Sequence, residues 1–165
     1  DESGANLNMD SAYGRAQGGQ RVNASKPHCR GTTLSIIGAM SLLGVVAAMY
    51  GEWATDGIAF LTFIQTMLVP QLRAGHIVIM DNASFHKIKP VREAIESTGA
   101  RLVFLPPYSP DFSPIELMWS KLKQSLRKKA ARTLGDFHQA LLEAFETLTD
   151  YDFEGWFAHC GYHSS

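Results

Sequence analysis

Two short apolar runs, "HIVIM" (76–80) and "RLVFL" (101–105), limit the folds open to this chain more than any other feature. Each is rich in β-branched or aromatic residues, apolar after its first residue and too brief for a helix, the profile of a strand covered on both faces. Between them "PVREAIEST" has a helical pattern, with Gly99 as its stop. Strand, helix and strand in this order predict parallel pairing, because the helix supplies the crossover. Pro106 and Pro107 close the second strand, since proline has no N–H to give a ladder.

Upstream, Thr32 to Gly51 holds twenty residues without a charge, a length that a membrane helix could use. Ser41, Gly38 and Gly44 interrupt it, however, and neither a cationic flank nor an aromatic belt frames it. It reads better as two buried strands joined by a hairpin near Leu43 and Gly44, so no membrane association is expected. Adjacent strands followed by a strand–helix–strand unit predict a mixed α/β sheet flanked by helices.

The segment "TDGIAFLTFIQTMLVPQL" predicts a helix capped by Thr55 or Asp56, with Ile58, Leu61, Ile64, Gln65, Leu68 and Leu72 along one face and Pro70 at its end. From Pro114 onward Ile115, Met118, Trp119, Leu122 and Leu126 form an apolar helical stripe. A last helix starts at the cap signal "TLGD" (133–136) and runs through Phe137, Leu141, Leu142, Phe145 and Leu148. Residues 10–31, rich in Gly, Ser, Gln and Arg, read as a loop or irregular hairpin.

With 165 residues, 45% hydrophobic and 19% charged, the chain suits one soluble globular domain spanning 1–165 without a second. Its first residue is Asp1 and not Met, which suggests N-terminal truncation. Cys29 and Cys160 are too few for a disulfide scaffold and no signal peptide opens the chain, which suggests a reducing cytoplasm. No P-loop and no G-x-S-x-G is present, which disfavours nucleotide-triphosphate and serine-hydrolase chemistry.

Two acids stand where a site is expected. Asp81 would lie at the carboxyl end of its strand, and Glu116 would open a helix two elements later. Asp1 would take a matching strand end if a strand precedes it. Carboxylates converging without a cation repel one another, whereas a hard divalent ion such as Mg²⁺ neutralises them and binds substrate phosphates. That chemistry is phosphodiester cleavage or transfer. Local alternatives stay open: Ser113-Pro114-Ile115-Glu116 fits a capping box, and Asp81-Asn82 fits an Asx turn.

"IVIMDNASFH", then thirty-four residues between Asp81 and Glu116, then "LPPYSPDFSPIELMWSKLK", resemble the catalytic core of DDE transposases of the mariner superfamily, particularly their bacterial insertion-sequence branch. The opening "DESG" and the closing "WFAHCGY" are similar to the same family's motifs. The resemblance implies a ribonuclease H-like fold, here with much of its first strand missing, in which Asp1, Asp81 and Glu116 are the catalytic and metal-binding triad. It also implies two Mg²⁺ ions, with Mn²⁺ as substitute, about 3.5–4 Å apart, that activate a water or DNA 3′-hydroxyl and stabilise the leaving oxygen. Double-stranded DNA would be the partner, as transposon ends and target, and the full-length protein would be a homodimer in a bacterial cytoplasm. Asn82, His86 and Ser113 are candidates for support around the triad.

Lys121, Lys123, Arg127, Lys128, Lys129 and Arg132 fall within twelve residues free of acids, whereas residues 133–165 carry six acids and no Lys or Arg. Because the formal net charge is only −1, any contact with a polyanion must come from such local clustering. A solvated helix face and a phosphate-binding face both fit the pattern; a DNA-cleaving site on the same helix favours the second. His28, Cys29, His159, Cys160 and His163 lack the spacing of a zinc site, and Trp119, Trp156 and Phe157 read as core aromatics. The rival functions are a nuclease of the same fold without strand transfer and a catalytically silent DNA-binding relic.

Overall fold

The computed structural model describes residues 1–7, 9 and 32–162. The loop expected over 10–31, together with His28, Cys29 and His163, lies outside the described residues. Strand β1 (Glu2–Asn6) pairs antiparallel with β2 (Thr33–Ser41), which pairs antiparallel with β3 (Gly44–Gly51). The expected hairpin is present: Ser41 faces Gly44, whose φ of +130° suits a residue without Cβ. Strands β4 (Ile77–Met80) and β5 (Arg101–Phe104) form a parallel pair, connected through helix α2 (Lys89–Glu96). Among the described residues, β4 and β5 form a sheet separate from β1–β2–β3.

Asp56 caps helix α1 (Gly57–Phe63), its Oδ1 accepting from the N–H groups of Ile58 and Ala59. The expected face is buried in part, at Ile64 and Leu68, but within α1 the burial falls on other residues. Phe60 and Phe63 point inward, whereas Ile58 is 78% exposed. Two phenyl rings bury more apolar area than the aliphatic register, and they set the rotation of the helix. The chain continues as a π-turn (64–68) and a 3-10 turn (69–71). Pro70 has no N–H to continue the helical ladder, and the Thr62 and Thr66 hydroxyls bond back to the carbonyls of Ile58 and Thr62.

Helix α3 (Pro114–Lys129) carries the expected stripe, all five residues of which are buried. After it, one expected helix is two, α4 (Leu134–Glu146) and α5 (Asp150–His159). The break is written in "TLTD" (147–150) and its sequel, where Thr149 and Asp152 form a reciprocal capping box. Two cores result. One joins α3, α4 and α5 to β1 and β2 through residues such as Leu34, Ile36, Met118 and Phe137. The other joins α1, α2, β4 and β5 to β2 through Ile37, Phe60, Val91 and Leu102. Strands β4 and β5 are not covered on both faces as expected: Ile77 is 54% and Ile79 43% exposed, because α3 stacks on β1 and β2 and leaves this side open. No helix among the described residues is long and apolar enough to cross a membrane.

Helix α3 ends on Ala130 at φ +48° and ψ 45°, a left-handed C-cap that glycine normally fills. An alanine there carries a steric cost of roughly 1 kcal/mol. Ala130→Gly is therefore expected to raise the midpoint of thermal unfolding, and an unchanged or lower midpoint would contradict this account of the cap.

Candidate active site

Asp1 stands one residue before β1, and its backbone extends the ladder to β2. Its carbonyl accepts from the Gly38 N–H at 2.9 Å, and its α-amino group donates to the Gly38 carbonyl at 3.2 Å. Its carboxylate turns toward α3, where the Trp119 indole N–H donates to Oδ2 at 3.1 Å. Trp119 reaches this place because Gly38 has no side chain: a Cβ there would lie 2.7 Å from the indole Cη2. The expected strand for this acid lay upstream; the ladder that holds it here runs downstream through β1.

Asp81 directly follows β4, at the carboxyl end of the parallel pair. Its Oδ1 accepts from the Ala83 N–H at 2.9 Å, so the Asx turn read from the sequence forms. The same oxygen lies 2.5 Å from Nδ1 of His86, a ring with no exposed surface. The other ring nitrogen, Nε2, is 3.0 Å from Oε2 of Glu2. Asn82 turns away and donates its side-chain N–H to the Leu105 carbonyl, which ties the end of β4 to the end of β5.

Glu116 sits in the first turn of α3. The capping box does not form: the Ser113 side chain makes no cap hydrogen bond, and the Glu116 N–H goes to the Ser113 carbonyl at 3.2 Å. The Glu116 carboxylate is therefore not used to close its own helix. It shares a neighbourhood with the other acids, as the Asp1 α-amino group reveals. Burial pushes the pKa of that amine below its ordinary value, while the charges of Glu2, Asp81 and Glu116 push it back up. Asp1, Asp81 and Ser113 line one cleft of about 500 Å³, bounded by β2, β4 and α1.

Residues 1–138 match the family described as DDE superfamily endonuclease. The chain belongs to that family. No curated protein matches it in sequence. Among solved structures it is similar to the Mos1 transposase paired-end complex with left transposon end, at 16% identity and a TM-score of 0.76, covering 97% of this chain and 49% of that one. It is also similar to the mariner Mos1 paired end complex with Mg, at 17% identity and TM-score 0.72, covering 99% and 55%. For the catalytic domain of Mos1 mariner transposase alone, identity is 16% and TM-score 0.60, covering 81% and 77%. The chain thus spans about half the length of the first two and shares their fold, so the mixed α/β, ribonuclease H-like expectation holds.

In this DDE superfamily member the donor chemistry suits a hard divalent ion. Asp1 Oδ1, Asp81 Oδ2 and both Glu116 oxygens take no hydrogen bond from the described residues, and all are carboxylate oxygens. Among the described residues no three His, Cys, Asp or Glu side chains are grouped closely enough to hold an ion.

The basic segment of this family member divides in two. Lys121 donates to Asp152 at 2.6 Å, Lys129 pairs with Glu143, and Arg132 donates to the carbonyls of Leu7 and Met9. Those three cations have structural partners that sequence spacing could not reveal, because the partners lie on α4, α5 and after β1. The Lys121 hydrogen bond holds the Asp152 carboxyl below the usual carboxylate range, against the opposing effect of burial. Its stabilising contribution is present above the ordinary carboxylate pKa and lost as pH falls through the lowered value. Lys123, Arg127 and Lys128 form no ion pair among the described residues. Two features escaped the sequence reading altogether: Glu2 as partner of His86, and Trp119 as donor to Asp1. Neither has a local motif, since each pairing joins residues more than eighty positions apart. Cys160 is buried, and burial pushes its thiol pKa up, which fits a packing role.

Proposed function

We infer that residues 1–165 are the catalytic unit of a transposase that cleaves DNA strands and joins them to a target, using Asp1, Asp81 and Glu116 as ligands for two Mg²⁺ ions, or Mn²⁺ in their place. The observation that supports this reading most is that Asp1, Asp81 and the residues Ser113, Pro114 and Ile115 that lead into Glu116 line one cleft, in a chain of DDE family membership. Bound divalent ions would supply charge neutralisation and a nucleophile at neutral pH. The residues of the chain do the rest. Trp119 fixes one oxygen of Asp1 and leaves the other for ligation; the Asx turn does the same for Asp81; the prolines 107, 110 and 114 stiffen the approach to Glu116. Bound ions would have to draw the three carboxylates together, since they are not grouped around one point without them. No residue forms a covalent bond to DNA.

Duplex DNA, as transposon ends and target, is the substrate this reading requires, and a homodimer holding two ends in a bacterial cytoplasm is its working form. The deciding experiment supplies supercoiled plasmid and a duplex with a free 3′-hydroxyl in Mg²⁺ or Mn²⁺, then separates the products. Joined strands support a transposase; nicks alone support a nuclease without strand transfer; no products at any divalent ion concentration would leave only a DNA-binding relic. Lys123, Arg127 and Lys128 are expected to bear on phosphates: replacing all three by Ala should lower the slope of log affinity against log salt by about 2 to 3, equally for unrelated sequences. An unchanged slope in filter binding or anisotropy would remove them from the interface.

A further inference from the structure

His86 is the buried polar or charged residue of the core among the described residues, and its surroundings are built for orientation. The Phe60 ring lies at 4.2 Å and the Phe85 ring at 4.7 Å between centroids, tilted by 35° and 82°, so the imidazole cannot turn without moving both. Its backbone is pinned by the Ala83 carbonyl at 3.0 Å. The two nitrogens then point at two carboxylates: Nε2 at Glu2, 3.0 Å away, and Nδ1 at Asp81, 2.5 Å away. The second approach is close but poorly aligned for a hydrogen bond, as expected where Asp81 Oδ1 already accepts from Ala83. The Glu2 contact is thus the ring's hydrogen bond, and the Asp81 contact is a close packing of the fixed ring against the carboxylate.

Glu2 is neighbour to Asp1 in sequence, and the β1–β2 ladder fixes its backbone opposite Ile37, a residue without exposed surface. On a strand successive side chains face opposite ways, so Asp1 reaches Trp119 on one side while Glu2 reaches His86 on the other. Strand β1 and strand β4 belong to different sheets among the described residues. The line Glu2–His86–Asp81 therefore connects the strand that presents Asp1 to the turn that presents Asp81, and it does so across the gap where no backbone ladder sets their separation.

We propose that Glu2 is a positioning residue which, acting through the buried His86, fixes the Asp81 carboxylate for divalent-ion binding. The inference rests on the reading of Asp1, Asp81 and Glu116 as the ion's ligands. A partner that orients a ligand is worth about 10- to 100-fold in metal affinity, a larger effect than a loosely solvated Glu would give. It also predicts that Glu2 has no influence of its own once His86 is gone. A direct attraction between the Glu2 charge and the ion would instead survive that loss.

The test is Mn²⁺ binding to the 165-residue chain, measured by titration calorimetry and by the paramagnetic signal of free Mn²⁺, without DNA. Glu2→Gln, His86→Gln, the double variant and Asp81→Asn are compared, with thermal unfolding in chelator to establish that each folds. The expected result is about tenfold weaker binding for each of the first two, with the double variant no weaker than His86→Gln alone. Losses that multiply to about a hundredfold in the double variant would mean that Glu2 acts directly by charge and would overturn the proposal, as would unchanged affinity in Glu2→Gln. If His86→Gln fails to fold, Glu2→Gln carries the test together with His86→Asn, whose amide can still reach Asp81: equal affinity in Glu2→Gln and the wild type defeats the idea. Asp81→Asn separates the two levels. Loss of Mn²⁺ binding there, with none in Glu2→Gln, sinks only the positioning role; retention there sinks the ligand assignment beneath it.

Discussion

Asp81→Asn and Glu116→Gln each reduce divalent-ion-dependent nicking of duplex DNA by about 10³-fold or more, while leaving thermal stability within about 0.5 kcal/mol of the wild type. The two halves of this expectation come from different observations. Asp81 is half exposed and its one accepted backbone hydrogen bond is within reach of an Asn oxygen; the Glu116 side chain makes no hydrogen bond with the described residues and caps nothing. Neither side chain contributes packing that an amide would lose. The charge, by contrast, is what an ion requires, and neutralising one of the three proposed ligands would weaken the hold on a cation that would supply several kcal/mol of stabilisation to the developing negative charge. Initial rates on supercoiled plasmid in Mg²⁺ and in Mn²⁺ measure the first half, and calorimetric melting the second. Activity within about tenfold of the wild type in both variants would withdraw these residues from the site.

The largest expected loss of stability belongs to Trp119. It is almost fully buried in the core beneath α3, its indole fills the space that Gly38 leaves on β2, and its N–H serves Asp1. Trp119→Ala is expected to cost about 3–5 kcal/mol, since the lost transfer energy and the remaining cavity add. That is a large share of the stability of a domain this size, so the variant should melt well below the wild type or be found largely unfolded. Trp119→Phe divides the two duties of the side chain. It keeps much of the packing and is expected to cost about 1–2 kcal/mol, but it releases Asp1 Oδ2 and should weaken Mn²⁺ binding as well. Gly38→Ala attacks the same contact from the other side, and a fully native melting profile for it would show that the indole has more room than the 2.7 Å approach allows.

The local features of this architecture were legible because they are set by neighbours in sequence. "HIVIM" and "RLVFL" pair in parallel through α2, the charge-free stretch folds back at Gly44, and the stripe from Ile115 to Leu126 is buried throughout. The rotation of α1 was not legible, because it depends on which residues the second core accepts, and the choice of Phe60 over Ile58 is made by tertiary packing. The exposed face of β4 was missed for a related reason: an apolar run states that burial is possible, while the position of α3 decides where it happens. In the proposed site, the placement of Asp81 after a strand and of Glu116 in the first turn of a helix could be read, and the choice between capping and a free carboxylate at Glu116 could not, since "SPIE" satisfies both patterns equally. The basic run overstated its own availability. Half of its cations are matched by acids and carbonyls that only the fold brings near.

Strand β2 has a consequence for how the molecule comes apart. Ile36 belongs to one core and Ile37, its immediate neighbour, to the other. A peptide unit cannot release one side chain from its packing and hold the next rigidly in place, so damage to either half is transmitted through a single shared backbone. Heating should therefore give one sharp transition by fluorescence and by circular dichroism alike, the two halves failing together rather than in sequence.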